Sequence, residues 1–325
     1  MLGFLLCLFS DFFPSETAIL HKLSDTRVVV SSGNHYIHSS FFNGLTFSSG
    51  SGGAIYISSC DHTVVENCIF SRCSSSNGGA MKISSSESVV NRCCGSFCSA
   101  PSTCWTNGGQ FSDIIAQKNT FLLSSVFQCP ESTVSGAEVS IGIRGSTQEV
   151  KNINASSNEG QSYSGILFTG ISSSICDYCA FHNCTTRSYV CIVYIGNEAG
   201  GLFKNSNIVG NKSPDGQWGV FYAESTTSVD ISGCVFIGNT NVLLTTSASA
   251  ISVKNTWIDH SGTLTFKFSG SINFDGSVSY KSTSLISADF LDMDGCSSLI
   301  RVNNPSMNAK NTVAISIFIF SFQIE

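Results

Sequence analysis

The cysteines are the residues of this sequence whose type and spacing most readily suggest chemistry. The chain has 15 of them. Four form two pairs with the same spacing of 25 residues, Cys68 with Cys93 and Cys73 with Cys98. If the chain repeats its structure at that interval, paired positions in neighbouring repeats lie about 4.8 Å apart, a Cα separation that permits a disulfide. The pairs are therefore predicted to be either disulfide bonds between repeats or a buried ladder of free thiols.

Two other groupings have some features of metal sites. Cys176 and Cys179 have the C-x-x-C spacing of a zinc site and are followed by Cys184 and Cys191, but no second C-x-x-C pair is present. The stretch Asp292-Met-Asp-Gly295 begins like a calcium loop and lacks the later ligands and the closing glutamate. Repeat positions and turn chemistry explain both groupings, so we predict no metal site and no cofactor.

Acidic residues that could act on a polysaccharide are few in the later part of the chain. The best grouping is Asp259 and His260 with Asp292 and Asp294. Glycoside hydrolysis needs two carboxylates at a defined separation, and no paired-aspartate motif of that kind is found. No Gly-x-Ser-x-Gly elbow and no phosphate-binding loop occurs either. We therefore assign no catalytic residue and keep a carbohydrate-active enzyme, a polysaccharide lyase or a glycoside hydrolase, as the alternative.

A repeat positions the paired cysteines. Its first motif is a Gly-Gly-Ala element, and its second places an apolar residue two positions after a small residue or Cys, with Cys or Asn three positions later. The first occurs as Gly52, Gly53 and Ala54 and again as Gly78, Gly79 and Ala80. The second is centred on Phe70, Phe181, Ile208 and Phe236, which has Asn239 as its Asn. The copy from Cys93 to Cys98 has Gly95 at the apolar position, so the period is counted through Phe97 there and through the weaker copies Phe127 and Ile153. The centres recur about every 27 residues, which is the period of a solenoid.

Within each period the sequence predicts two or three short strands separated by Gly, Asn, Ser or Asp, and no segment has a helical period. We therefore predict an all-β, single-stranded, right-handed parallel β-helix of about nine coils, the hand following from the general rule for parallel crossovers. Residues 1–15 are expected to be a signal peptide and 16–40 the N-terminal cap and first coil. Residues 41–260 are expected to form the repeats, and 261–325 looser final coils or a C-terminal cap.

The Gly-Gly-Ala element followed by F-x-x-N or F-x-x-C resembles the repeats of chlamydial polymorphic outer-membrane proteins. It more closely resembles the Ser/Asn/Cys-rich β-helix surface proteins of trichomonad protists. The motifs support this resemblance over residues 41–98, and the diluted period extends it to about residue 260. The resemblance implies a pectin-lyase-like right-handed parallel β-helix at a cell surface, with an adhesive or structural role and no catalytic residues.

Composition and targeting signals agree with an extracellular location. The net charge of −6 argues against nucleic acid as a partner, because its readers need a basic surface. Met1–Ser10 looks like the apolar part of a signal peptide, although it lacks a basic start. Glycosylation sequons are found at Asn154, Asn183 and Asn211.

From these features we expect a secreted or cell-surface protein that is a non-enzymatic scaffold for adhesion or interaction, with host or matrix glycans or proteins as partners. The sequence does not show membrane association. The apolar run Thr312–Phe322 is too short to span a bilayer. It fits either a last strand over the core or a product cut short before a longer tail. A fragment or degenerate family member with no separate role is the third hypothesis.

Overall fold

The computed structural model describes residues 9–100, 109–130, 139–187, 192–197, 200–213, 218–226 and 228–279. The chain divides into two compact units, Met1–Leu291 and Asp292–Glu325, and all described residues belong to the first. Several predicted features lie outside the described residues, among them Cys191, Asp292, Asp294 and the run Thr312–Phe322.

The described residues contain one short helix, α1 (Phe9–Phe12), and 29 strands. The strands of the first half are β1 (Ile19–His21), β2 (Val28–Val30), β3 (His35–His38), β4 (Phe41–Asn43), β5 (Thr46–Ser51), β6 (Ile55–Glu66), β7 (Ile69–Ser71), β8 (Ser74–Asn77), β9 (Met81–Asn91), β10 (Cys94–Ser96), β11 (Gly109–Leu122), β12 (Ser125–Phe127), β13 (Val139–Lys151) and β14 (Asn154–Ser156). Those of the second half are β15 (Glu159–Gly160), β16 (Tyr163–Asp177), β17 (Ala180–His182), β18 (Thr185–Thr186), β19 (Val193–Gly196), β20 (Gly200–Lys204), β21 (Asn207–Val209), β22 (Phe221–Glu224), β23 (Ser228–Ser232), β24 (Val235–Asn239), β25 (Leu244–Ser247), β26 (Ser249–Lys254), β27 (Trp257–His260), β28 (Thr265–Lys267) and β29 (Gly270–Phe274).

These strands form two long stacks that run the length of a parallel β-solenoid. Sheet A has 16 strands, and sheet B has nine, in the order β27-β24-β21-β17-β14-β12-β10-β7-β4. The pairings between the described strands are parallel, as in β11 with β13 and β17 with β21. The predicted fold class, an all-β parallel solenoid, is confirmed. Seven of the nine sheet B strands have a neighbour on both sides, so about seven complete turns lie between two end coils, slightly fewer than the nine coils predicted.

Each coil changes direction at two single residues whose φ lies between +47° and +66°. The first follows the sheet A strand and the second follows the sheet B strand. Gly, and to a lesser degree Asn, adopts a positive φ more readily than other residues, which is why both recur between the predicted strands. The first column is Ser39, Asn67, Arg92, Leu123, Asn152, Tyr178, Asn205, Gly233 and Asn255, and the second is Gly44, Arg72, Phe97, Gln128, Ser157, Asn183, Gly210 and Gly238.

The register of sheet B corrects part of the predicted repeat. Its central, fully or nearly fully buried positions are Phe42, Phe70, Val126, Ala155, Phe181, Ile208, Phe236 and Ile258, together with Gly95. The predicted repeat centres Phe70, Phe181, Ile208 and Phe236 share this column. Those at Phe97, Phe127 and Ile153 are wrong by one or two positions, because Gly95, Val126 and Ala155 occupy the column.

Gly95 keeps the core filled without a side chain of its own. A Cβ on Gly95 would overlap the ring of Phe111, so this ring occupies the space above the glycine. The Phe111 ring also packs edge-on against Phe70, with 5.6 Å between ring centroids. A residue from sheet A thus supplies the apolar volume that is missing from this coil of sheet B.

The Gly-Gly-Ala elements lie where neighbouring coils come closest. A Cβ added to Gly53 would overlap the carbonyl oxygen of Gly79. In the same way, a Cβ added to Gly79 would overlap the carbonyl oxygen of Gln110 in the next coil. The amide of Gly53 donates a hydrogen bond of 3.0 Å to that Gly79 carbonyl. Ala54 and Ala80 follow in the core and are fully buried. Only glycine permits this backbone approach, which explains the motif.

The N-terminal residues cover part of the outer side of sheet A. Phe9 and Phe13 are buried against Tyr36, Val64 and Val89, whose side chains point away from the main core. A second apolar layer therefore covers this part of sheet A, whose outer side would otherwise face water. Part of the segment 1–15, for which we predicted a signal peptide, is packed on the solenoid in this structure.

Candidate functional site

The paired cysteines lie in an inner ladder at the residue just before each sheet B strand. This first ladder consists of Ser40, Cys68, Cys93, Ser124, Ile153, Cys179, Ser206, Cys234 and Thr256. Cys68 Sγ lies 3.2 Å from the carbonyl oxygen of Glu66, and Ser206 Oγ lies 2.7 Å from that of Lys204, each two residues back in its own chain. Most members of the ladder thus offer a small group that donates to a turn carbonyl, which Cys, Ser and Thr all provide, and Ile153 is the apolar exception.

Cys68, Cys73, Cys93 and Cys98 are free, buried thiols in this structure. Burial, and then the neighbouring Cys68 thiol, raises the pKa of Cys93 well above its usual value. The pKa of Cys73 is raised chiefly by its interaction with the Cys98 thiol and then by burial. Within each predicted pair, one thiol thus raises the pKa of the other. Counting reactive thiols in unfolded, unreduced protein would show whether these pairs are oxidised.

A second inner ladder follows each sheet B strand after its turn residue. It consists of Leu45, Cys73, Cys98, Cys129, Asn158, Cys184, Asn211 and Asn239. Asn211 Oδ1 accepts a hydrogen bond of 2.9 Å from the amide of Cys184, and its Nδ2 donates to the carbonyl of Phe181 at 2.9 Å. Asn239 repeats this pattern one coil later, with its Oδ1 accepting from the Asn211 amide at 3.1 Å. These side chains satisfy buried backbone groups at the turns, which would be costly to leave unpaired.

The outer side of sheet A carries a continuous row with one residue from each coil. We call it the outer row: Tyr56, Lys82, Asp113, Gly142, Leu167, Tyr194, Tyr222, Thr245 and Phe266. Its neighbours along each strand, such as Met81 and Ile83 beside Lys82, are in the core. The row holds charged side chains in the early coils and aromatic ones in the later coils.

The charged part of the outer row is an ion triad. The Asp113 carboxylate is 0% exposed and pairs through Oδ2 with Lys82 and through Oδ1 with Arg144, whose side chains are 13% and 17% exposed. Two cations compensate one carboxylate that water cannot reach, an arrangement that a buried charge requires. Sequence reasoning missed this triad because its members lie 31 residues apart in sequence, and only the register of β9, β11 and β13 brings them together.

The later part of the outer row is aromatic. The Tyr194 and Tyr222 rings are 5.5 Å apart, and the Trp218 ring lies 5.3 Å from Tyr222 and 4.8 Å from Phe268. The tyrosines are nearly fully covered, whereas Trp218 is half-buried and Phe268 is 43% exposed. We call Trp218, Tyr222, Phe266 and Phe268 the aromatic patch.

A carboxylate borders the aromatic patch. Glu224 is half-buried at the end of β22, and its Oε2 accepts a hydrogen bond of 2.7 Å from the Tyr194 hydroxyl. The carboxylate has further acceptor capacity, because an ionised carboxyl offers about four lone-pair sites. Aromatic rings beside such an acceptor can contact a ligand that combines an apolar face with hydroxyl donors.

Comparisons of the chain with protein-family models, with curated proteins and with solved structures found no match. Among the described residues, no helix is both long enough and apolar enough to cross a membrane. The same part of the chain holds no group of three or more His, Cys, Asp or Glu side chains arranged to bind a metal ion. Of the cysteines with zinc-like spacing, Cys179 belongs to the first ladder and Cys184 to the second.

Of the residues that the sequence suggested for an enzyme, Asp259 and His260 lie in the described part of the chain. Asp259 is exposed on β27. The next residue, His260, pairs through Nε2 with the carbonyl of Asn241 at 2.7 Å. The backbone carbonyl of Asn241 is therefore the partner of His260. The other carboxylates of the predicted grouping, Asp292 and Asp294, lie outside the described residues.

The three sequon asparagines occupy different environments. Asn183 is exposed in the second turn column. Asn211 is fully buried in the second ladder, and Asn154 is half-buried on β14. Sequons of the same type therefore differ in accessibility, which the sequence does not reveal.

Proposed function

We propose that this chain is a secreted or cell-surface protein with a pectin-lyase-like, right-handed β-helix, and that it serves as a non-enzymatic scaffold for adhesion or interaction. Its ligands are host or matrix glycans or glycoproteins, bound along the outer side of sheet A. Location outside the cytosol is supported by Cys94, which is disulfide-bonded, because disulfides persist mainly in oxidising compartments.

The observation that carries the proposal is the aromatic patch with Glu224 at its border. An exposed apolar surface on a soluble protein commonly marks an interaction site, and Trp and Tyr dominate the energetics of such sites. Phe268 and Trp218 are the accessible members, and the covered Tyr222 supports them from below. The rigid stack of strands holds these rings in fixed register.

The experiment has two parts. Surface labelling of intact, unpermeabilised cells that express tagged protein tests the location. Binding of the purified full chain to a glycan array and to immobilised matrix glycoproteins then tests the interaction. The double variant Trp218→Ala/Phe268→Ala is expected to bind at least tenfold more weakly, since each lost aromatic contact of this kind costs upward of about 1 kcal/mol.

The matched control replaces two exposed apolar residues elsewhere. Phe47→Ala/Tyr178→Ala removes two exposed aromatic side chains that lie outside sheet A, one on β5 and one in the first turn column, and is expected to keep full binding. Equal loss in both double variants would mean that binding does not use the patch. Absence of surface label, together with absence of binding, would refute the proposed function.

A carbohydrate-active enzyme is the second candidate, and the ion triad is the observation that favours it. Lys82 and Arg144 keep some exposure beside the buried Asp113, so a uronate chain could meet two cations on sheet A. Incubation with a panel of acidic polysaccharides, followed by ultraviolet absorbance of unsaturated products, tests lyase activity. A signal that Lys82→Met abolishes would support this candidate, and no product from any polymer would reject it.

A further inference from the structure

The second turn column contains an exposed asparagine with a glycosylation signal. Asn183 directly follows the sheet B strand β17 and has a φ of +52°. Cys184 and Thr185 come next and complete the sequon. The backbone amide of Asn183 donates to the carbonyl of Val209 at 3.0 Å, so the backbone is fixed while the side chain faces solvent. The acceptor amide is thus presented outward from a rigid turn.

The surroundings of Asn183 leave room for a bulky group. Its neighbours in the turn column are Ser157 on one side and Gly210 and Gly238 on the other. The Oδ1 atom of Asn183 lies over Gly210, where an added Cβ would come within 2.5 Å of it. A Cβ on Gly238 would meet nothing within 4 Å. Elsewhere this column carries larger residues such as Arg72, so Asn183 lies in its least crowded part.

Asn211 is unsuited to modification for the opposite reason. Its Nδ2, the atom to which a glycan would attach, donates to Phe181 and to Asn239 inside the solenoid. Its Oδ1 accepts from the Cys184 amide. A glycan on Nδ2 could not be seated in this interior, and its attachment would leave buried backbone groups unpaired.

Asn154 lies between these extremes. It belongs to β14, which pairs with a strand on each side, and its Oδ1 atom is buried. Asn154 as a whole is only partly exposed, so its amide is less accessible than that of the exposed Asn183.

We propose that Asn183 alone among the three sequons carries an N-linked oligosaccharide in the folded protein. The proposal rests on the secretion proposed above. The co-substrate is an oligosaccharide attached to a lipid pyrophosphate. The Asn183 Nδ2 atom forms a bond to the anomeric carbon while the bond from that carbon to the pyrophosphate oxygen breaks. The lipid pyrophosphate leaves, and the amide nitrogen loses one proton to a base.

The test uses sequon variants that leave each asparagine in place. Thr185→Val removes only the hydroxyl that the sequon needs, and Thr185→Ser retains it. Ser213→Ala and Ser156→Ala inactivate the sequons of Asn211 and Asn154 in the same way. Each full chain is expressed with its own N-terminus and, separately, behind a heterologous secretion signal. Gel mobility with and without glycosidase, and glycopeptide mass spectrometry, report the occupied site.

One glycan is expected on the folded, secreted protein. Thr185→Val should lose it, and Thr185→Ser, Ser213→Ala and Ser156→Ala should keep it. With the heterologous signal, a glycan on Asn211 or Asn154, or none on Asn183, overturns the assignment. A chain that is glycosylated at Asn183 only behind the heterologous signal supports the assignment and overturns the proposed secretion, so the two failures are distinguishable.

Discussion

The packing of Phe111 over Gly95 predicts that two core substitutions, each harmful alone, compensate each other. Phe111→Ala removes a fully buried ring, and Gly95→Val adds a side chain where that ring now lies. Gly95 has no positive φ, so its backbone accepts a valine, and Val126 holds the same position one coil later. The double variant thus returns the missing apolar volume to sheet B.

The magnitudes follow from the packing. Phe111→Ala should lower the free energy of unfolding by about 3–5 kcal/mol, toward the upper end because no side chain at Gly95 can fill the cavity. Gly95→Val alone overpacks the site and should cost about 1–3 kcal/mol. In the Phe111→Ala background the same valine should instead stabilise, because it buries its side chain in the cavity, which is worth about 1.5 kcal/mol or more. The effect of Gly95→Val therefore reverses its sign.

Urea unfolding followed by circular dichroism measures the four free energies of this cycle. The matched control pairs Gly95→Val with Phe236→Ala, which removes another fully buried phenylalanine several coils away. Substitutions at distant sites add to within about 0.5 kcal/mol, so the control cycle should show no coupling. Additivity in the Phe111 cycle as well would refute the account of the core given above.

Three further predictions concern close packing, thiol ionisation and the N-terminal cover. Gly79→Ala should lower the thermal midpoint much more than Gly238→Ala, because the Cβ at position 79 would overlap the backbone oxygen of Gln110. The Cβ at position 238 meets nothing, so that substitution costs only the strain of alanine at a positive φ, about 1–2 kcal/mol, and a similar loss in both would contradict this. Burial raises the pKa of the Cys184 and Cys234 thiols to about 12 from the ordinary 9.0. Their contribution to stability is therefore complete below pH 9.0 and is lost as the pH rises toward 12, so thermal midpoints should fall with alkaline pH and fall less in the Cys→Ser variants. Phe13→Ala should cost up to about 3 kcal/mol of local stability and speed proteolysis near the N-terminus, whereas unchanged proteolysis would show that the cover is dispensable.

The solenoid could be predicted from the sequence because its requirements are local. A typical coil has two residues that accept a positive φ, two small donors or amides in the ladders, and a central apolar residue in sheet B. Asn67 followed by Cys68, and Gly238 followed by Asn239, show the turn and ladder positions side by side in the sequence. Such pairs recur in every period, so even diluted motifs gave the correct fold class.

The misplaced centres have a non-local cause. Gly95 holds no apolar side chain, and the ring that replaces it comes from Phe111 in the following passage of sheet A. Phe97 and Phe127 fitted the expected period better than the true positions, yet their rings lie 5.4 Å apart outside the core. A sequence pattern cannot show that another strand fills a gap.

The candidate sites were hidden for a related reason. The loops between coils differ in length, so residues that share the outer row have no fixed spacing in the sequence. Asp113 meets Lys82 and Arg144 only through the register of three strands. Likewise, the difference between Asn183 and Asn211 depends on one being a turn residue and the other a ladder residue.

The ladders also explain why the cysteines, although conspicuous in the sequence, say less about function than the residues on the outer side of sheet A. Apart from the apolar Ile153 and Leu45, Cys, Ser and Thr exchange at one ladder and Cys and Asn at the other, because each of these side chains is small enough for the site and can hydrogen-bond the turn. The outer row is not constrained in this way: consecutive coils place a lysine, an aspartate and later tyrosines at one register position. Chemistry that varies from coil to coil on a fixed scaffold is what a binding surface requires, which is why the binding surface proposed above is the outer side of sheet A.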